Sequence, residues 1–272
     1  MKITIIGAGN MGGAIARALV NSQKNGEHVR QQSAVSGLCP SDITCTARSA
    51  GKLQKFADAG FNVTTDNREA VQGADVVIFA VKPWLMEEVV RGVAPFMDLG
   101  SQIVISVAAG VSFSQLSDWL GTSSAAMFRV IPNTAIEIGS GVTFVSSCKA
   151  SDSCRSMVLD LFAGMGYALE VEESMMAAGT ALASCGIAYA MKYIQSSASG
   201  GEALGFTPEQ ACRIVEYTVK GAAELLLATG NPPQVEIDKV TTPGGMTQKG
   251  LAAMEEAGFA SAVSNGLMSS LK

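Results

Sequence analysis

Histidine is nearly missing from this chain: 272 residues contain one, His28. A lone imidazole cannot build a histidine-rich metal centre, and the six cysteines (Cys39, Cys45, Cys148, Cys154, Cys185 and Cys212) include no C-x-x-C pair. No metal site is expected, and the cysteines read as reduced thiols of a cytoplasmic protein. A basic excess is also absent, since 19 Lys and Arg face 24 Asp and Glu for a net charge of −5. No field exists to draw in nucleic acid or an anionic membrane, so neither is an expected partner and an anionic ligand needs a local grip. The N-terminal MKITIIGAGNMG has too short an apolar run, and the wrong flanks, for a signal peptide.

Charge is sparse enough to leave long uncharged runs. One such run is SMMAAGTALASCGIAYAM over 174–191, 18 residues that length alone would flag as a membrane span. Its glycines, serines and threonine favour a buried helix instead.

What is present is a chain 48% hydrophobic and 16% charged, able to bury a sizeable core in one large or two smaller domains. Short β-branched runs alternate with helical stretches over the first two thirds, the pattern of parallel strands joined by crossover helices. The expected strands are 2–7, 43–47, 61–65, 75–81, 102–108 and 125–130, with 141–146 and 167–171 finishing the sheet. After Glu172 the strand signals stop. Helices are expected over 173–199, 207–229 and 246–258, then a short tail; Thr207 and Pro208 mark one start. The fold class is therefore α/β, an N-terminal Rossmann-like, mostly parallel sheet over 1–172 with helices on both faces, followed by an all-helical domain over 173–272. The helical part is short and its apolar residues are small, so a core shared between two copies is expected.

GAGNMG places Gly7, Gly9 and Gly12 directly after the first strand and before a helical run, with Asn10 and Met11 between them. The first glycine allows the tight turn, the second a close approach to pyrophosphate, and the third close helix–strand packing. The free N–H groups of the helix start then face the phosphates. At the end of the second strand an NAD protein usually carries an acid for the ribose hydroxyls, whereas this chain has Thr46-Ala47-Arg48-Ser49. Arg48 can fork onto a 2′-phosphate and Ser49 can add a hydroxyl bond, which favours NADPH while leaving NADH possible. The alternative is a solvated Arg48 beside Ser49 as a helix cap. Asp42 lies at the other end of the strand, behind a long surface excursion over 21–42 in which His28 is expected to be idle. Two further segments, AVKPW (80–84) and RVIPNTA (129–135), follow strand ends where ligands of parallel sheets bind; there Lys82 could meet an anion and Asn133 an amide, or each could be loop chemistry.

The segments IIGAGNMGGAIARAL, AVKPW, ISVAAGVS, RVIPNTA and VTTPGGMTQKGLAAMEEAGF, in this order over nearly the whole chain, resemble the 1-pyrroline-5-carboxylate reductase family. The resemblance implies NADPH-dependent reduction of a cyclic imine carboxylate to proline in the last step of proline synthesis, and a helical domain that intertwines with its mate in a homodimer, with dimers gathering into larger rings. It implies that Arg48 and Ser49 take the 2′-phosphate, that Asn67 lies near the adenosine, and that Ala80, Val81, Lys82 and Pro83 flank the cofactor, with Ala108 of the ISVAAGVS segment among its contacts. It implies that Thr242, Gly244, Gly245, Met246 and Thr247 wrap the substrate, backbone N–H groups holding the carboxylate while Thr247 faces the ring nitrogen as the catalytic group. Where the family reads S-G-S-G-P-A-Y, this chain reads Ala183-Ser184-Cys185-Gly186-Ile187-Ala188-Tyr189, with Cys185 a near-isosteric replacement in the substrate pocket. A β-hydroxyacid dehydrogenase would need a G-x-x-x-K-x-x-x-N helix, which the spacing of Gly186, Lys192 and Ser196 does not meet. A non-catalytic NADP-binding sensor or scaffold is the alternative from another class.

Overall fold

The computed structural model describes residues 1–21 and 37–271, so His28 and most of the expected excursion lie outside the described residues. Eight strands form one sheet: β1 Ile3–Ile6, β2 Ile43–Thr46, β3 Asn62–Thr64, β4 Val76–Phe79, β5 Ile103–Ser106, β6 Met127–Pro132, β7 Gly141–Cys148 and β8 Gly166–Glu170. Their order is β3-β2-β1-β4-β5-β6-β7-β8. Every pairing is parallel except that of β6 with β7. Each strand expected from the β-branched runs is there.

The central strands are apolar along their whole length because both faces are covered; every residue of β1, β4 and β5 is buried. The side-chain period of two sends Ile3 and Ile5 to one face, with Ile15, Leu19, Phe56 and Phe162, and Ile6 to the other, with Phe79, Met86, Val90 and Leu116. The covering helices are α1 Asn10–Asn21, α2 Gln54–Asp58, α3 Asn67–Val71, α4 Met86–Val93, α5 Phe113–Leu120 and α6 Asp152–Ala163. α1, α2 and α6 lie over the first face and α3, α4 and α5 over the second. From β1 the chain builds outward through β2 and β3, then returns to the other side of β1 with β4, so the strand order reverses between β1 and β4. That reversal opens the crevice in which doubly wound folds take ligands.

The chain divides into two compact units, Met1–Ser184 and Cys185–Lys272, the division falling inside a helical path that runs from Glu173 to Ala203. That path comprises a short 3-10 turn, α7 Met176–Gly179, a π-helical segment Thr180–Cys185 and α8 Gly186–Ala203. A buried helix is expected over 174–191, and the structure corrects this: only 17% of the apolar window is buried within one chain. It is the one described helix long and apolar enough, by length and composition, to cross a membrane.

Within the second unit α9 Pro208–Thr229 starts as the sequence indicates, Thr207 Oγ1 accepting the Gln210 N–H and Gln210 Oε1 accepting the Thr207 N–H. α10 Pro233–Lys239, α11 Met246–Glu256 and α12 Phe259–Ser269 follow. α10 falls between the helices expected over 207–229 and 246–258, and α12 replaces the expected short tail. The buried apolar residues of this unit are two alanines, Ala198 and Ala211, whereas Leu204 and Leu227 are 82% and 85% exposed. One copy of the unit has no core of its own among the described residues.

Candidate cofactor and substrate sites

The turn after β1 is pinned by the last residue of β2. Thr46 O accepts the N–H groups of Gly7 at 3.2 Å and Ala8 at 2.7 Å, and Thr46 Oγ1 accepts a second bond from Gly7 at 3.3 Å. Gly7 has φ +98, and a Cβ there would come within 2.8 Å of Val81 Cγ1 and 3.0 Å of Ala80 O. A Cβ on Gly12 would run into the carbonyl oxygen of Gly7. Gly9 differs from both: a Cβ there would meet nothing within 4 Å. Two glycines are therefore required by packing, while the third leaves backbone facing open space. The first helical donor satisfied within the chain is Gly13 N–H, by Gly9 O at 2.9 Å; among the described residues the N–H groups of Asn10, Met11 and Gly12 have no acceptor. Three free donors at the positive end of α1, beside a glycine with an open face, fit a pyrophosphate.

The neighbouring strand ends add the other expected cofactor residues. Arg48 and Ser49 lie just beyond β2 and are exposed, and Arg48 has no ion-pair partner among the described residues. Ser49 precedes a short 3-10 turn but makes no side-chain cap bond, which removes the capping reading and leaves its hydroxyl unused. Asp42 sits at the opposite end of β2 and accepts the Cys39 N–H at 2.9 Å. Asn67 opens α3 beyond β3, its helix capped by Asp66. Ala80 to Pro83 follow β4, with Ala80 N–H donating to Ile6 O at 2.8 Å and Lys82 exposed. Ala108 follows β5 and is buried. The parallel topology thus gathers Gly7, Gly9, Asn10, Met11, Gly12, Arg48, Ser49, Asn67, Ala80, Val81, Lys82, Pro83 and Ala108 at the carboxyl edge of β1 to β5. Asn133 is engaged structurally: its Oδ1 accepts from Ala135 and Val142 N–H and its Nδ2 donates to Ala183 O.

Cys45, inside β2, is fully buried, and burial pushes its thiol up to about 12 while the charge of Arg17 works in the opposite direction. It is a packing residue, protonated at neutral pH.

In the second unit TTPGGMT forms a β-turn joined to a helix. Gly245 N–H donates to Thr242 O at 2.9 Å, Pro243 takes the second turn position, and Gly244 takes the third with φ +74, the type II pattern. Gly245 is then the N-cap residue of α11. Thr247 is the second residue of the helix and does not cap it, so the plain capping role falls away. The glycine amides are both engaged within the chain. Gly244 N–H donates to Gln248 Oε1 at 2.6 Å, and Gly245 N–H is taken by the turn. The unpartnered donors among the described residues are the N–H groups of Met246, Thr247 and Gln248. Gln248 is the participant sequence reasoning passed over; its position three residues after the cap is the signal that could have found it.

Cys185 is half-buried at the end of the π-helical segment, next to Gly186 and Ile187. Tyr189 OH shares a hydrogen bond with Ser270 Oγ and donates to Gly266 O at 3.3 Å, fastening α8 to α12.

A doubly wound sheet with a glycine cradle at its reversal point defines a dinucleotide-binding oxidoreductase. Residues 2–110 match the family model described as NADP oxidoreductase, coenzyme F420-dependent, and residues 173–272 match the model of pyrroline-5-carboxylate reductase dimerisation. Pyrroline-5-carboxylate reductase of Arabidopsis thaliana is 33% identical over 274 residues, covering 100% of this chain and 93% of the relative. Pyrroline-5-carboxylate reductase 1 of Dictyostelium discoideum is 33% identical over 280 residues, covering 98% of this chain and 48% of that longer protein. Among solved structures, pyrroline carboxylate reductase of Plasmodium falciparum with NADP bound superposes with a TM-score of 0.86 at 26% identity, covering 100% of this chain and 95% of that one. The chain belongs to the pyrroline-5-carboxylate reductase family. Its helical half is a dimerisation domain, which accounts for the apolar surface one copy leaves uncovered.

Proposed function

We propose that this protein reduces 1-pyrroline-5-carboxylate to L-proline with NADPH, the last step of proline biosynthesis. The observation that carries this reading is the 33% identity to a reductase of that name over 100% of the chain, which takes in both glycine-rich segments. NADPH, when bound, supplies a hydride to the imine carbon. The chain supplies placement. The amides of Asn10, Met11 and Gly12 would hold the pyrophosphate, Arg48 and Ser49 the 2′-phosphate, with Asn67 near the adenosine and Ala80 to Pro83 and Ala108 flanking the cofactor. The substrate carboxylate is held by the free N–H groups of Met246, Thr247 and Gln248, with Thr242, Gly244 and Gly245 shaping the turn and Cys185 lining the pocket. Thr247 hydrogen-bonds the ring nitrogen. A threonine hydroxyl is too weak an acid to protonate it unaided, so its part is orientation and relay of a proton from solvent. Holding both reactants in register provides most of the acceleration.

Residues 1–172 act as the cofactor domain and 173–272 as the substrate and dimerisation domain. The assembly is a homodimer, extended into rings of dimers through the apolar residues left on the second unit. The compartment is the cytoplasm, in keeping with six free cysteines. NADPH oxidation with pyrroline-5-carboxylate, run beside direct NADPH binding, tests the reading: turnover supports it, and binding without turnover favours the NADP sensor. The same assay with NADH reads the cofactor preference.

A further inference from the structure

We infer that Gln248 is a positioning residue for the substrate turn, acting through the backbone of Gly244. This rests on the proposed role of TTPGGMT as the carboxylate grip and adds to it the side chain that sets its shape.

Thr242-Pro243-Gly244-Gly245 is exposed or half-buried, and its glycine pair has the widest conformational range of any dipeptide. Two bonds hold it. One is the turn closure, Gly245 N–H to Thr242 O at 2.9 Å; a Cβ on Gly245 would run into Thr242 Oγ1, so the turn is closed as tightly as glycine allows. The other comes from the helix: Gln248 Oε1 accepts the Gly244 N–H at 2.6 Å. Gln248 is the third residue of α11 and Gly244 precedes the cap, so the bond spans the junction at which turn becomes helix. No other acceptor among the described residues takes that N–H. The bond keeps Gly244 at φ +74 and prevents the turn from folding over the N–H groups of Met246, Thr247 and Gln248. Without it, those donors and the Thr247 hydroxyl, one residue away, would have to be ordered by the substrate itself, and affinity would drop by that cost.

Gln248→Met keeps side-chain length and removes the acceptor. With a net hydrogen bond worth a few-fold to about tenfold, KM for pyrroline-5-carboxylate should rise about three- to tenfold, with kcat within about twofold and KM for NADPH unchanged. Hydrogen exchange at Gly244, read in the full-length protein, should accelerate in Gln248→Met and needs no turnover. An unchanged or lowered substrate KM overturns the inference, the latter because it would make Gln248 a competitor for the grip. Equal losses in both KM values, kcat and thermal stability also overturn it, marking a purely structural role. If wild type shows no turnover the substrate reading fails, and Gly244 exchange decides alone: unchanged exchange overturns the inference.

Discussion

Arg129 Nη1 lies 2.8 Å from Glu173 Oε1, and the same oxygen accepts the Phe113 N–H at 2.8 Å. The pair joins β6 to the first turn of the dimerisation half and to the start of α5. The guanidinium is 10% exposed and the carboxylate 39%, and Arg129 Nε is buried without a partner among the described residues. Glu173→Gln leaves a buried charge short of its counterion; since solvent reaches the carboxylate, the loss should be about 1–2 kcal/mol rather than the 3–5 of a fully buried pair. Urea unfolding of the two proteins measures it.

Gly9→Ala and Gly12→Ala should separate binding from folding. The Cβ on Gly9 meets nothing within 4 Å among the described residues, so Tm should hold while NADPH affinity falls at least about tenfold as the methyl group takes the phosphate's space. Gly12→Ala collides with the Gly7 carbonyl, so it should lose stability as well. Thermal melts with and without NADPH distinguish the two.

Arg48→Gln should weaken NADPH about 10- to 100-fold, the range for a lost charge-assisted bond, and leave NADH nearly untouched. Titration with both cofactors checks it. Equal effects on the two would place Arg48 away from the 2′-phosphate.

Cys45 gives a pH signature. Its folded thiol is raised to about 12 from 9.0, so the folded state holds the proton more tightly than the unfolded chain. The corresponding stability is intact below pH 9.0 and is lost as the pH climbs towards 12. Denaturant melts should show stability falling across this window, less steeply in Cys45→Val.

The sheet was legible because β-branched runs and short connections leave parallel strands few alternatives, and the cradle because GAGNMG carries its geometry in glycine. The π-helical turn at Thr180–Cys185 was not legible, since alanine, threonine and cysteine carry no signal separating it from an ordinary helix. α12 was missed because Phe259–Ser269 mixes serine, asparagine and glycine into a weak helical pattern. The burial expected for 174–191 failed for a different reason: sequence periodicity marks a helix as apolar but does not say whether its own chain covers it. At TTPGG the proline and glycines marked the turn and the helix start after it, whereas the Gln248 side chain that takes the Gly244 N–H carries no signal in the turn residues themselves.

Thr247→Ala should lower kcat far more than it changes NADPH affinity, with Thr247→Ser restoring part of the rate. Unchanged turnover would remove Thr247 from the reaction.

The central claim is hydride transfer to a cyclic imine carboxylate, and isotope transfer tests it most directly. Wild-type protein supplied with deuteride-labelled NADPH and pyrroline-5-carboxylate should yield L-proline carrying deuterium on the former imine carbon, one per NADPH consumed. Tight NADPH binding with no labelled proline formed would contradict the account.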